Sequence, residues 1–224
     1  MTTMLKAAAA ALVLFAAATS FAAAQAPAPA AVQPGAQTLL VLIGPARDQG
    51  IAQANAMLNA ATRLQGRFQQ IAPDGRRTTG AFYLERPGKL RFEYDSPATM
   101  LIVSDGRVVS LQDRALRTTD RTTLRSTPLN YILRAQADLA RDARVTRVAR
   151  LGDYLLITAR DRTGQTDGEI TMQFTGGQLR SWDITDATGQ HTRIALTDIT
   201  TPASFDRRLF QPLDIIDSRR RGPH

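Results

Sequence analysis

The chain has 224 residues, 43% of them apolar, with 28 Lys and Arg against 20 Asp and Glu for a formal net charge of +8. That is enough apolar material for one sizeable core. The absence of cysteine excludes a disulfide scaffold, a thiol enzyme and a cysteine-based zinc site. With His191 and His224 as the two histidines, neither a metal centre nor a histidine-driven triad is expected.

Lys6 precedes a small-apolar run, Ala7 to Phe21, broken only by Thr19 and Ser20, and Ala22-Ala23-Ala24 then meets Gln25. A short positive region, an apolar stretch and an A-x-A site form a secretory signal peptide, so residues 1–24 are read as one, cleaved near Ala24. The run falls short of the ~20 residues of a membrane-spanning helix. Export to a bacterial periplasm is the expectation. Pro27, Pro29 and Pro34 among Ala and Gln make 25–47 a linker. The folded domain is placed at 48–213, and 214–224, with Arg219-Arg220-Arg221, is expected to be a disordered basic tail.

Asp48 is placed to cap a helix whose apolar residues Ile51, Ala54, Met57, Leu58 and Ala61 recur at three- and four-residue steps. From Leu64 onward the period becomes two. Phe82, Leu84, Leu90, Phe92 and Tyr94 alternate with polar residues, as do Ile170, Met172, Phe174 and later Ile194, Leu196. Turn pairs Asp74-Gly75, Asp105-Gly106, Asp167-Gly168, Gly176-Gly177 and Thr188-Gly189 punctuate these runs, giving about eleven strands. Thr127 as cap, Pro128 in the first turn and Leu129, Ile132 and Leu133 on one face predict a second, short helix. The fold class is mainly β with short helices, an antiparallel sheet curved into an open barrel.

Two or three short helices give such a sheet a thin cover, so its concave face is either packed shut or a ligand site. Arg86 follows Phe82 and Leu84 at period two, on the apolar face. Either it reaches solvent at the strand end or it finds acceptors, for which the last carbonyls of a helix are suited. Pro87 ends that strand.

The stretch Gly80-Ala81-Phe82-Tyr83-Leu84-Glu85-Arg86-Pro87-Gly88-Lys89-Leu90-Arg91-Phe92-Glu93-Tyr94 resembles the core motif of the periplasmic outer-membrane lipoprotein carrier family, the LolA type. Leu101-Ile102-Val103-Ser104-Asp105-Gly106, Thr127-Pro128-Leu129 and Asp186-Ala187-Thr188-Gly189 with Thr192 and Phe210 extend the likeness over roughly 50–213. The resemblance implies a half-open barrel of eleven strands with a helical lid over a hydrophobic cavity that takes lipoprotein acyl chains. Arg86 matches the arginine that ties barrel to lid. Leu90 and Phe92 match cavity positions, parity adds Phe82, Leu84 and Tyr94, and Leu101 and Val103 are assigned to the same lining. Ile51, Leu58, Leu129, Ile132 and Leu133 belong to the lid. Ser110 and Gln112 stand where the family often has aromatic residues and Tyr83 where it often has tryptophan, which is expected to alter the cavity's shape and lipid preference.

Other chemistry finds little support. Ser104-Asp105-Gly106 reads as a hairpin turn rather than a nucleophile, and His191 as a strand-edge residue. Arginines interleave with aspartates, as from Asp138 to Arg150, which describes a solvated basic surface and not a nucleic-acid site; such a surface also attracts anionic headgroups. The expected function is a monomeric, non-enzymatic periplasmic chaperone that shuttles lipoproteins from inner to outer membrane. By resemblance, it would load from an inner-membrane lipoprotein-releasing ABC transporter and deliver to the outer membrane or an acceptor lipoprotein there. A lipid sensor of the same fold and a lipid-active enzyme are the rival readings.

Overall fold

The computed structural model describes residues 38–163 and 168–213. The expected signal peptide, the linker up to residue 37, Asp167 and the basic tail lie outside the described residues. Twelve strands form one antiparallel sheet: β1 (Leu39–Val41), β2 (Arg63–Ile71), β3 (Arg77–Glu85), β4 (Lys89–Tyr94), β5 (Met100–Asp105), β6 (Val108–Asp113), β7 (Thr118–Thr123), β8 (Arg144–Leu151), β9 (Tyr154–Arg160), β10 (Glu169–Thr175), β11 (Gln178–Thr185) and β12 (His191–Thr200). Their order is β1-β8-β9-β10-β11-β12-β2-β3-β4-β5-β6-β7, so β1 and β7 are the two edges and the barrel is not closed. Three helices accompany it: α1 (Gly44–Ala60), α2 (Leu129–Leu133) and α3 (Leu139–Asp142).

The turns behave as their residues dictate. Gly75, Gly106, Gly168, Gly177 and Gly189 all have positive φ, which glycine adopts without steric cost. The Asp105 carboxylate accepts from the amides of Arg107 and Val108, both at 2.8 Å, so Ser104-Asp105-Gly106 is a hairpin turn. Exposed His191 opens β12, its Nδ1 2.9 Å from the Thr185 hydroxyl. The charges around α3 resolve into local ion pairs, Arg134 and Arg141 both meeting Asp142.

Three expectations need correction. The twelfth strand, β1, lies in the segment read as linker and pairs with β8, Leu40 opposite Arg150. It is three residues long, exposed, and its partner lies over a hundred residues away, so no local turn signal announces it. The first helix begins at Gly44, with Ile43 at its N-cap and Pro45 in its first turn; Asp48 lies inside it and caps nothing. Proline fits there because the first-turn amides have no intrahelical partner. Likewise Pro128, not Thr127, is the N-cap of α2, while the Thr127 hydroxyl donates 2.8 Å back to the Leu124 carbonyl of a preceding 3-10 turn.

The main core lies between the concave face of the sheet and the helices. α1 contributes buried Ile51, Ala54 and Leu58, and α2 contributes Ile132 and Leu133, to one cluster with Phe68, Phe82, Phe92, Phe174 and Trp182. Gly80 shows how tightly it is filled. A Cβ there would stand 2.4 Å from the Phe68 ring and 2.2 Å from the Glu93 carbonyl oxygen, so the missing side chain is the room the ring occupies.

Candidate functional site

Strand pairing decides which expected residues share a face. Phe82 pairs with Phe92 and Leu84 with Leu90, and on the next strand Phe92 pairs with Ile102. Phe82, Leu84, Leu90, Phe92 and Tyr94 therefore point together to the concave side, all buried in the common cluster. Leu101 and Val103 do not join them. They pair with Glu93 and Arg91 on the opposite, convex face. The run Met100–Ser104 is buried throughout because β5 is covered on both sides, and a strand buried on both faces carries no alternation to betray its parity.

The convex cover is the chain's last described segment. Its 3-10 turn, Arg207–Phe210, packs on β4 and β5, and Phe210 is buried. Arg91 donates to the Leu209 carbonyl at 3.3 Å. Gln112, 1% exposed, bonds Leu213 twice: its amide donates to the Leu213 carbonyl at 2.9 Å and its carbonyl accepts from the Leu213 amide at 2.8 Å. Ser110 pairs with Val103 and Gln112 with Leu101, while Tyr83 stacks edge-on against Phe205 at 6.0 Å. The three departures from the family pattern thus lie under this strap and do not line the concave side.

The concave side is an aromatic floor under a helical roof. Phe68 meets Phe92 edge-on at 4.6 Å and Tyr94 at 5.0 Å, and Phe92 meets Trp182 at 6.1 Å. Tyr94 donates 2.6 Å to the Gln70 side-chain carbonyl, so two buried polar groups satisfy each other; burial pushes the Tyr94 phenol well above its usual range. Phe68 and Trp182 join this floor although no sequence pattern marks them. Phe68 shares the parity of Leu64 in a run with little other alternation, and Trp182 carries no motif. All the expected lid residues face this floor, Ile51, Leu58, Ile132 and Leu133 within the core and Leu129 packed against it.

Two sets of hydrogen bonds tie α1 and α2 to the sheet, while Arg162 after β9 donates to the Ala140 and Arg141 carbonyls of α3. On one side, Arg47 near the start of α1 donates 3.1 Å to the Val145 carbonyl of β8, and Arg150 of β8 donates 2.8 Å to Gln53. On the other side is the β3–β4 turn. The Arg86 guanidinium donates through Nη1 to the Leu58 carbonyl in the last turn of α1, and its backbone amide donates 2.9 Å to Thr62. Two residues on, the Gly88 amide donates 2.8 Å to the carbonyl of Leu133, the last residue of α2. Both helices thus end on one turn, and their terminal carbonyls are groups that lack intrahelical partners.

That turn is held from behind. The Ser104 hydroxyl donates 2.6 Å to the Gly88 carbonyl, and Gly88, at φ +77, would place a Cβ 2.6 Å from the Gly106 Cα. No other residue fits between the two hairpin turns. The helical segments are also stitched to one another. Asn59 donates 3.0 Å to the Ala137 carbonyl and accepts 2.7 Å from the Ala137 amide, and Asn55 accepts 3.0 Å from the Leu139 amide.

Arg86 is largely buried, and desolvation alone pulls its pKa down to about 10. Its Nε has no partner among the described residues. The guanidinium stays charged at neutral pH, at a desolvation cost that one carbonyl contact only partly offsets. Among the described residues there is no group of three His, Cys, Asp or Glu side chains able to hold a metal ion, and none of the helices is long and apolar enough to cross a membrane.

Comparison with known proteins gives the family. Residues 59–213 match the family model described as outer membrane lipoprotein carrier protein LolA. The outer-membrane lipoprotein carrier protein of Chromobacterium violaceum is 29% identical over 164 residues, 70% of this chain and 79% of the relative. That of Pseudomonas syringae pv. tomato is 28% identical over 193 residues, 79% and 89% of the two chains. Among solved structures, a LolA superfamily protein from Nitrosomonas europaea aligns with a TM-score of 0.45 at 11% identity, covering 74% of this chain and 97% of the other. With the family match extending from the end of α1 through the convex strap, the chain belongs to the LolA family of outer membrane lipoprotein carrier proteins.

Proposed function

We propose that this protein is an exported periplasmic carrier which shields lipoprotein acyl chains between its aromatic floor and its helical roof, with Arg86 as the latch. The observation that carries the reading is the β3–β4 turn, where Arg86 and Gly88 hold the terminal carbonyls of both α1 and α2. An acyl chain buries about 0.8 kcal/mol per methylene, so lipoproteins do not cross water unaided at a useful rate. A shuttle has to cover those chains and still surrender them. A latch built from a desolvated arginine suits that balance, because opening it costs few hydrogen bonds and returns a charge toward water.

In this reading the contacts of Arg47 and Arg150 between β8 and α1 are the hinge side, and Phe82, Leu84, Leu90, Phe92 and Tyr94 are the surface exposed to cargo when the roof lifts. Cargo would come from an inner-membrane lipoprotein-releasing ABC transporter and pass to the outer membrane or an acceptor lipoprotein there, the carrier acting as a monomer without catalysis. The deciding assay adds purified mature protein to inner-membrane vesicles holding a triacylated lipoprotein and follows the lipoprotein into the soluble fraction. The parent should release it as a one-to-one complex and deliver it to acceptor membranes; Arg86→Leu should load it and fail to hand it over. Equal loading and unloading by both forms would refute the latch, and no release by the parent would refute the carrier.

A further inference from the structure

We propose that Trp182 is a specificity-determining residue whose indole N–H donates to the carbonyl oxygen of an ester at the head of a bound acyl chain. The inference rests on the carrier reading above and names what the cavity floor recognises beyond apolar surface.

Trp182 lies on β11, 3% exposed, paired with Met172 on one side and Ile194 on the other. Its ring meets Phe92, and α1 packs over its strand. It thus sits in the middle of the concave floor, beneath the roof. Its Nε1 finds no hydrogen-bond acceptor among the described residues. A buried tryptophan N–H ordinarily has a partner, and leaving one unpaired is unfavourable.

Three other buried polar groups of this floor are already used. Tyr94 and Gln70 satisfy each other, and Ser104 is spent on Gly88. The buried side-chain atoms without a partner among the described residues are Arg86 Nε, Arg134 Nε and Trp182 Nε1, and all three are donors. Such an interior complements a ligand that brings acceptors. Around Trp182 the neighbours are Met172, Ile194 and Phe92, which offer no counter-charge. A phosphate or carboxylate would be buried there unpaired at high cost. A neutral carbonyl on an otherwise apolar molecule meets the donor without that penalty, which is the chemistry of an acyl ester.

The test compares two ligands of equal chain length, a cysteine-terminal peptide carrying a diacyloxypropyl thioether and its dialkyl ether counterpart, which lacks the ester carbonyls. Binding is followed by co-elution of radiolabelled ligand, so the readout survives loss of the indole. Emission of the parent's single tryptophan reports entry independently. A hydrogen bond of about 1 kcal/mol corresponds to about fivefold in affinity. The parent should therefore prefer the ester by about fivefold, and Trp182→Phe should abolish that preference while still binding the ether. Equal binding of both ligands by the parent overturns the proposal, whether or not the variant folds. A preference that persists in Trp182→Phe overturns it too, by placing carbonyl recognition elsewhere. Failure of the folded parent to bind either ligand, with tryptophan emission unchanged, would instead bring down the carrier reading itself.

Discussion

The two faces of β3 to β6 carry covers that are fastened in opposite ways. On the convex face, strap 201–213 is bonded to the sheet itself: Arg91 holds Leu209 and Gln112 grips Leu213 through both backbone groups. On the concave face, Asn59 grips Ala137 through both backbone groups in the same manner, joining α1 to the segment before α3, and among the described residues the hydrogen bonds from these strands to the helices come from the turn of Arg86 and Gly88. The same reciprocal amide device ties one cover to the sheet and joins the helical segments of the other to each other. In the proposed carrier reading, the first completes a core and the second is the part that lifts.

Large aromatic truncations should break this comparison most visibly. Phe92 on the floor and Phe210 under the strap are both buried, and Phe→Ala in a packed core costs about 3–5 kcal/mol. Both variants should lose stability in that range by denaturant unfolding. They should part company in acyl-ligand binding, which Phe92→Ala changes and Phe210→Ala leaves at the parental value. Loss of binding in Phe210→Ala, with its fold intact, would mean the strap face is part of the site.

How far the sequence could foresee this contrast depends on the alternation of each strand. β3 and β4 alternate cleanly at Phe82, Leu84, Leu90, Phe92 and Tyr94, so their concave side is legible, and Arg86 is legible because an arginine at an apolar parity has to find acceptors. β5 is apolar at consecutive positions because both faces are covered, so Leu101 and Val103 could be assigned only by analogy, and to the wrong side. The strap and β1 escape for a related reason. Each is a short segment whose partners are distant in sequence, Leu213 with Gln112 and Leu39 with Leu151, and neither leaves a local period to read. Gly88 and Asn59 act through backbone contacts between remote elements, which no residue spacing announces.

Of intermediate size is the effect of cutting the two amide stitches. Gln112 is buried, but its partner Leu213 is exposed, so after Gln112→Ala the backbone groups of Leu213 regain water and the cost should be about 1 kcal/mol. Asn59 is half-buried but its partner Ala137 is 4% exposed, so Asn59→Ala leaves both backbone groups of Ala137 short of partners and should cost about 2 kcal/mol. Hydrogen exchange separates them further. Gln112→Ala should raise exchange around Leu209 to Leu213 and spare the helices, whereas Asn59→Ala should raise exchange at Ala137 and Leu139 and change the rate of lipoprotein loading. Similar exchange patterns in the two variants would show that the covers are coupled through the sheet.

The smallest effect distinguishes hinge from latch along α1. Arg47 donates to Val145 from a partly exposed position, its side chain 38% exposed beside Asp48, so Arg47→Ala should cost about 0.5 kcal/mol. Arg47 and Leu58 are eleven residues apart on one helix, about 16 Å along its axis. Contacts that far apart without shared partners combine additively to within about 0.5 kcal/mol. The double variant of Arg47→Ala and Arg86→Leu should therefore unfold with the sum of the single effects, measured by urea denaturation. In delivery to acceptor membranes, Arg47→Ala should behave as the parent does and the double variant as Arg86→Leu does. A coupling energy well above that limit would mean that the two ends of α1 report on each other, and that the helix lifts as a body and does not pivot about β8.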